Sequence, residues 1–152
     1  MKAADFVAET TRKYVEQMPK AQRKKCGQFF TSPKTAAFMA QMLDMPSGSK
    51  TVSILDPGAG SGMLTAAVLD ELNKISEVQE IDVTCYENNQ DVMELLQANL
   101  DWMQKHTAKK LVYKVRQENY ILSQTENYNK TFCAEPDPRK YDIVIGNPPY
   151  IK

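Results

Sequence analysis

Thr51-Val52-Ser53-Ile54-Leu55-Asp56-Pro57-Gly58-Ala59-Gly60-Ser61-Gly62 is the stretch that decides the fold. Its first half, Thr51 to Leu55, is rich in β-branched and aliphatic residues and reads as a short strand. Its second half has glycines at alternate positions, so the backbone can turn tightly and approach a ligand closely. Apolar residues at helical spacing follow from Met63 to about Asn73. A strand that ends in a glycine loop and opens a helix is the ligand-binding edge of a doubly wound sheet. The spacing is G-x-G-x-G, which differs from the G-x-G-x-x-G of dinucleotide enzymes.

The same alternation continues on both sides. Glu80 to Tyr86 reads as a second strand. Asn89 or Gln90 opens a helix to about Lys105, with Val92, Met93, Leu95, Leu96, Leu100 and Met103 on its apolar side. Leu111 to Val115 reads as a third strand and Tyr141 to Ile145 as a fourth, almost wholly apolar. Strands alternating with helices imply right-handed β-α-β units and a parallel sheet, a Rossmann-like α/β domain. Upstream, residues 3 to 18 form an amphipathic pattern through Phe6, Val7, Tyr14 and Val15. Ser32-Pro33 starts another helix, with serine as cap and proline in the first turn. The expected division is a helical segment over 1–46 and the α/β core over 47–152.

Composition excludes several classes. Of the 152 residues 42% are hydrophobic and 25% charged, with a formal net charge of +0, an ordinary globular balance. No apolar run approaches a membrane span, and the first residues carry no secretory signal, so a cytoplasmic protein is expected. Cys26, Cys85 and Cys133 are far apart and His106 is the single histidine. They do not supply a tetrahedral zinc set, so no metal is expected and the thiols read as reduced. Lys20, Arg23, Lys24 and Lys25 form the only dense basic run, which fits either a phosphate contact or a solvated helix face.

Two positions carry chemistry beyond the loop. Glu87 follows the second strand, where a carboxylate can accept from the hydroxyls of a ribose; it fits equally a cap for the next helix. Asn147-Pro148-Pro149-Tyr150 follows the fourth strand directly. An amine conjugated with a ring or carbonyl is a poor nucleophile because its lone pair is delocalised. The Asn147 side-chain oxygen and the Pro148 carbonyl can grip its two N–H groups and turn it toward tetrahedral geometry. Two prolines fix φ and stiffen the loop, so the acceptors are preorganised. Tyr150 can stack on a base flipped from a duplex. A plain turn ending a buried strand is the other reading.

With the glycine loop, Glu87 and this tetrapeptide, the chain resembles the gamma class of N6-adenine DNA methyltransferases of restriction–modification systems. The resemblance runs from about Gly27 to Tyr150. Gly27-Gln28-Phe29-Phe30-Thr31-Ser32-Pro33 is similar to the class's N-terminal cofactor motif, with Ser32 inserted before the proline. The resemblance implies S-adenosylmethionine as cofactor, contacted by Phe30, Thr31, Asp56, Pro57, Gly58, Gly60, Gly62 and Glu87. Asp56 would meet its methionine end. Asn119 and Tyr120 would lie beside its adenine, Asn119 standing where the class usually has aspartate. Asn147, Pro148, Pro149 and Tyr150 would be catalytic.

The resemblance also implies a sheet of seven strands, of which four are present, in the order third, second, first, fourth. The later strands and a target-recognition domain would lie after Lys152. Double-stranded DNA would be the partner of the complete enzyme, and this piece alone is expected to be inactive. The unpaired edge of the fourth strand is expected to promote self-association. The alternative functions are a protein-glutamine methyltransferase acting on release factors, which uses the same tetrapeptide, and an inactive cofactor-binding fragment.

Overall fold

The structure, a computed structural model, describes residues 1–22, 30–46, 48–124 and 140–148. Gly27, Gln28, Phe29, Cys26, Cys133, Pro149, Tyr150 and the basic residues Arg23 to Lys25 lie outside the described residues. The chain begins with helices α1 (Ala3–Gln17) and α2 (Pro33–Gln41). Then come β1 (Thr51–Asp56), α3 (Met63–Leu72), β2 (Glu80–Tyr86), α4 (Gln90–His106), β3 (Lys110–Arg116) and β4 (Ile143–Val144).

The four strands form one parallel sheet, as the alternation predicts, in the order β3-β2-β1-β4 that the resemblance implies. Thr51 pairs with Glu80 and Asp56 with Cys85, so β1 and β2 run level to their C-terminal ends. The glycine loop and Glu87 therefore leave the sheet side by side. β4 is shorter than the expected Tyr141 to Ile145. The Asp142 carboxylate accepts from both the Ser53 N–H and its hydroxyl at 2.7 Å, and the Asp142 N–H donates to Ser53 Oγ at 3.0 Å. This side-chain clasp replaces the backbone ladder where the strand was expected to begin. Ile143 and Ile145 are buried, while Val144 between them is 59% exposed.

α3 is the centre of the packing. Met63 to Leu69 and Leu72 are all buried, as a helix covered on every side requires. The sheet covers one side, and α1 and α2 cover the rest. Ala3, Val7, Ala36 and Ala40 belong to the same buried cluster as Ile54, Ile81 and Val83. Alanine at 36 and 40 lets α2 approach closely. Phe6 of α1 stacks on Trp102 of α4 at 4.0 Å, and Trp102 stacks in turn on His106 at 4.2 Å. Among the described residues no helix is long and apolar enough to cross a membrane.

Two of these four helices carry a side-chain N-cap of their own. Ser32 Oγ accepts from the Thr35 N–H and Pro33 opens α2, so the residue inserted in the N-terminal motif is the helix cap. Asn89 caps α4 in the same way through Asp91 N–H. α1 has no such cap of its own. Instead the Asp70 carboxylate on α3 accepts from Ala3 N–H at 2.8 Å and from Ala4 N–H at 3.0 Å. A carboxylate on the first N–H groups of a helix also opposes its dipole. Asp70→Ala should therefore destabilise the protein by about 0.5–2 kcal/mol, and Asp70→Asn by less. Urea denaturation checks this; equal loss in both variants would argue against capping.

Candidate functional site

At the C-terminal edge of the sheet a small open cleft is lined by Phe30, Thr31, Gly58, Ala59, Gly60, Ser61, Met63, Leu64 and Asn147. Three segments distant in sequence thus meet: the end of the N-terminal motif, the glycine loop and the start of the tetrapeptide. The Asn147 amide Nδ2 donates to Thr31 Oγ1 at 3.2 Å, across a separation of 116 residues. With Nδ2 turned to Thr31, Oδ1 is left for another donor. Pro148 is exposed beside it.

The loop is fixed by its own backbone and by Glu87. Ala59 N–H donates to the Tyr86 carbonyl at 2.9 Å, which stitches the loop to the end of β2. Gly60 N–H donates to Glu87 Oε2 at 3.0 Å, and Asn89 N–H to Glu87 Oε1 at 2.8 Å. Glu87 therefore both braces the loop and caps the approach to α4, with lone pairs remaining on each oxygen. Gly60 has φ +54°, and a Cβ there would lie 3.6 Å from the Phe30 ring. That ring meets Tyr14 of α1 edge-on at 6.2 Å. Gly62 has φ +83° at the N-cap of α3, and a Cβ there would come within 3.0 Å of Leu96. Its requirement is conformational and steric, inside the core, and it does not line the cleft. Pro57 does not line it either; its ring packs close to Gly146.

Asp56 ends β1 fully buried. Its Oδ2 accepts from the Thr65 hydroxyl at 2.9 Å, while Oδ1 makes no hydrogen bond. Burial pushes the Asp56 carboxyl up to about 6. The Thr65 hydroxyl and the N–H groups of Gly58 and Thr65 oppose that rise, and the nearby Glu87 charge adds to it. Cys85, beside it and also buried, has its thiol pushed up by burial and then by the Asp56 charge, so it is an inert, protonated thiol.

Asn119 and Tyr120 stand apart from the cleft lining. Asn119 is exposed, and its Oδ1 accepts from Leu122 N–H at 3.2 Å, capping a short helical turn. Tyr120 packs edge-on against Tyr86 at 5.0 Å, with the Arg116 guanidinium 5.9 Å from the Tyr86 ring centre. These two residues thus border β2 and β3.

Sequence reasoning missed several members. Thr65, the partner of Asp56, has no motif of its own. Asn99 is fully buried and donates through Nδ2 to the Ser61 carbonyl at 2.8 Å; its Oδ1 accepts from Thr10 Oγ1 at 2.8 Å. One signal was present: Asn99 is polar at a position where the apolar stripe Val92, Leu96, Leu100, Met103 runs.

Comparison with solved structures sets the class. A protein of Listeria monocytogenes assigned to the class I S-adenosylmethionine-dependent methyltransferases superposes with a TM-score of 0.53 at 17% identity, covering 91% of this chain and 39% of that one. The methyltransferase subunit of a type I restriction–modification system from Streptococcus thermophilus gives 0.52 at 19% identity, covering 81% of this chain and 24% of that one. At these identities the likeness is one of fold: a Rossmann-like, class I methyltransferase fold.

The particular family follows from sequence. The N-6 DNA methylase family profile matches residues 3–152, and the chain belongs to that family. The type II methyltransferase M.PstI of Providencia stuartii is 30% identical over 142 residues, covering 86% of this chain and 25% of that protein. M.HincII of Haemophilus influenzae is 24% identical over 135 residues, covering 89% and 19%. A release factor glutamine methyltransferase of Fusobacterium nucleatum is 30% identical over 117 residues, covering 77% and 27%. The chain thus spans about a quarter or less of the curated relatives it matches.

The buried carboxyl gives this edge a pH signature. Asp56 holds its proton more tightly when folded than when unfolded, where its ordinary value is 3.8. Its contribution to stability is therefore fully present below that value and is lost as pH rises through about 6. A displacement of about two units is worth about 3 kcal/mol. Asp56→Asn should remove this slope: the stability of the variant relative to the parent should rise between about pH 4 and pH 6.5. Urea denaturation across that range decides, and a flat difference would contradict the burial argument.

Proposed function

We propose that this chain is the cofactor-binding and catalytic part of a site-specific adenine DNA methyltransferase, which transfers a methyl group from S-adenosylmethionine to the N6 amino group of a flipped-out adenine. The observation that carries the reading is the Thr31–Asn147 hydrogen bond at the mouth of the glycine loop. It joins the N-terminal motif to the catalytic tetrapeptide in one cleft, and that N-terminal motif separates the DNA class from the release-factor enzymes. Recognition of the DNA sequence is assigned to segments outside these residues, and the reaction to the cytoplasm.

The residues present fit the cofactor. Asp56 Oδ1 is a buried acceptor without a partner, suited to a cationic amino group at the methionine end. Glu87 keeps free lone pairs for ribose hydroxyls. The Phe30 ring stands over Gly60, whose positive φ and lack of a side chain keep the loop backbone open to a ligand. When bound, S-adenosylmethionine supplies an electrophilic methyl group. The chain supplies the rest: Asn147 Oδ1 and the Pro148 carbonyl accept the two amine N–H groups, and the proline-stiffened loop holds those acceptors in place. Tyr150 is assigned to stack on the adenine and Pro149 to rigidify the turn.

Tritiated cofactor, incubated with unmethylated double-stranded DNA or with a release factor, tests the substrate. Label in N6-methyladenine supports the reading; label only in protein glutamine overturns it in favour of the alternative. In the full-length enzyme, Asn147→Ala should lower the single-turnover rate roughly 100-fold or more while leaving cofactor affinity nearly unchanged, since the contact matters most in the transition state. Gly60→Ile should weaken cofactor binding about tenfold or more, because a β-branched residue is strained at positive φ and its side chain displaces Phe30. Calorimetry with S-adenosylmethionine reads this directly, and unchanged affinity would remove Gly60 from the site. Self-association through the β4 edge rests on the exposure of Val144 on a strand of two residues. Light scattering over a concentration series decides that point.

A further inference from the structure

We infer that Asn99 is a positioning residue for the cofactor loop, and that Thr10 makes the first helix a working part of that site. The inference rests on the reading of the glycine loop as the cofactor cradle. Ser61 lines the cleft, and its carbonyl accepts from Asn99 Nδ2 at 2.8 Å. A backbone carbonyl can only accept, so this bond fixes which way round the Asn99 amide lies. Its Oδ1 is then left facing α1, where the Thr10 hydroxyl donates to it at 2.8 Å, the shorter of that hydroxyl's two acceptor contacts, the other being the Val7 carbonyl at 3.1 Å. Asn99 is fully buried, in low dielectric, where a hydrogen bond is strong and an unpaired group costly.

The location of this chain of bonds argues against a generic core contact. Ser61 sits between Gly60 and Gly62, both at positive φ, so the loop here has little intrinsic preference for one shape. The only side chain that grips the backbone carbonyl at this point, among the described residues, comes from α4, some distance along the chain. Gly60 N–H is held from the other side by Glu87. Two side-chain bonds therefore clamp the peptide groups on either side of the Gly60–Ser61 peptide. Glu87 is in the site itself; Asn99 acts from behind it, and Thr10 from behind Asn99. Thr10 does not line the cleft; α1 also reaches it through Tyr14 against Phe30, so the double variant with Asn99 separates the two routes.

The test uses Asn99→Ala, Thr10→Val and Thr10→Ser in the protein carrying this chain. Cofactor affinity is read by calorimetry with S-adenosylmethionine, and loop mobility by amide hydrogen exchange at Gly60 to Gly62 without cofactor. Asn99→Ala should weaken binding about tenfold and raise loop exchange, with the rate at saturating cofactor retained. Thr10→Val should do the same to a smaller extent, Thr10→Ser should restore the parent, and Thr10→Val should add nothing in the Asn99→Ala background. A general loss of stability with unchanged affinity and unchanged loop exchange would overturn the inference, as would an undiminished Thr10→Val effect when Asn99 is already alanine. If the parent itself fails to bind the cofactor, the cofactor reading falls, and the exchange measurement alone still decides whether Asn99 and Thr10 hold the loop. Should Asn99→Ala not fold, Thr10→Val against Thr10→Ser carries the same decision.

Discussion

A carboxyl group buried at the end of the central strand constrains everything around it. β1 pairs with β2 along its whole length and with β4 at Ile54 and Leu55, and its last residue, Asp56, is fully buried. A buried acid must be neutral or well solvated by dipoles. Thr65 and the first loop amides answer that need, which ties the start of α3 to the end of β1. Once that turn is set, the glycine loop has to rise over the sheet edge, and Ala59, Gly60 and Ser61 come within reach of Tyr86, Glu87 and Asn99. The cleft is the space left above this arrangement.

Much of the architecture was legible because it is written in local patterns. β2 was bounded correctly at Glu80 and Tyr86, since apolar and β-branched residues run between polar ends. The Ser32 cap and the Asn89 cap each announce themselves one turn before a helix. The parallel sheet followed from alternation and handedness, and the strand order from the family resemblance. β4 was overestimated because Tyr141 to Ile145 looks uniformly strand-like, whereas Asp142 bonds through its side chain to Ser53. No local rule reports a partner 89 residues away.

The candidate site was legible where motifs are contiguous and obscure where they are not. The glycine positions were found together, yet they have different tasks: Gly60 faces the Phe30 ring, while Gly62 turns a helix start against Leu96. Spacing alone does not separate them, because both look like loop glycines. The meeting of Thr31 with Asn147 is a tertiary fact. Asn119, a position matched by spacing, has its oxygen engaged in capping a turn, which spacing does not report. Asn99 could have been noticed as a polar interruption of an apolar stripe, although its partners Thr10 and Ser61 could not.

The cap that Asp70 provides for α1 has a meaning in time as well as in space. The amide groups it receives precede it by 67 and 66 residues. On the ribosome, the first helix emerges well before the group that completes its N-terminus has been synthesised. An amphipathic segment of 15 residues is marginal on its own, and its apolar side has nothing to cover until α3 and α4 exist. α1 is thus made before the residues that complete it and settles after them, so that its docking reports that the domain behind it has already formed.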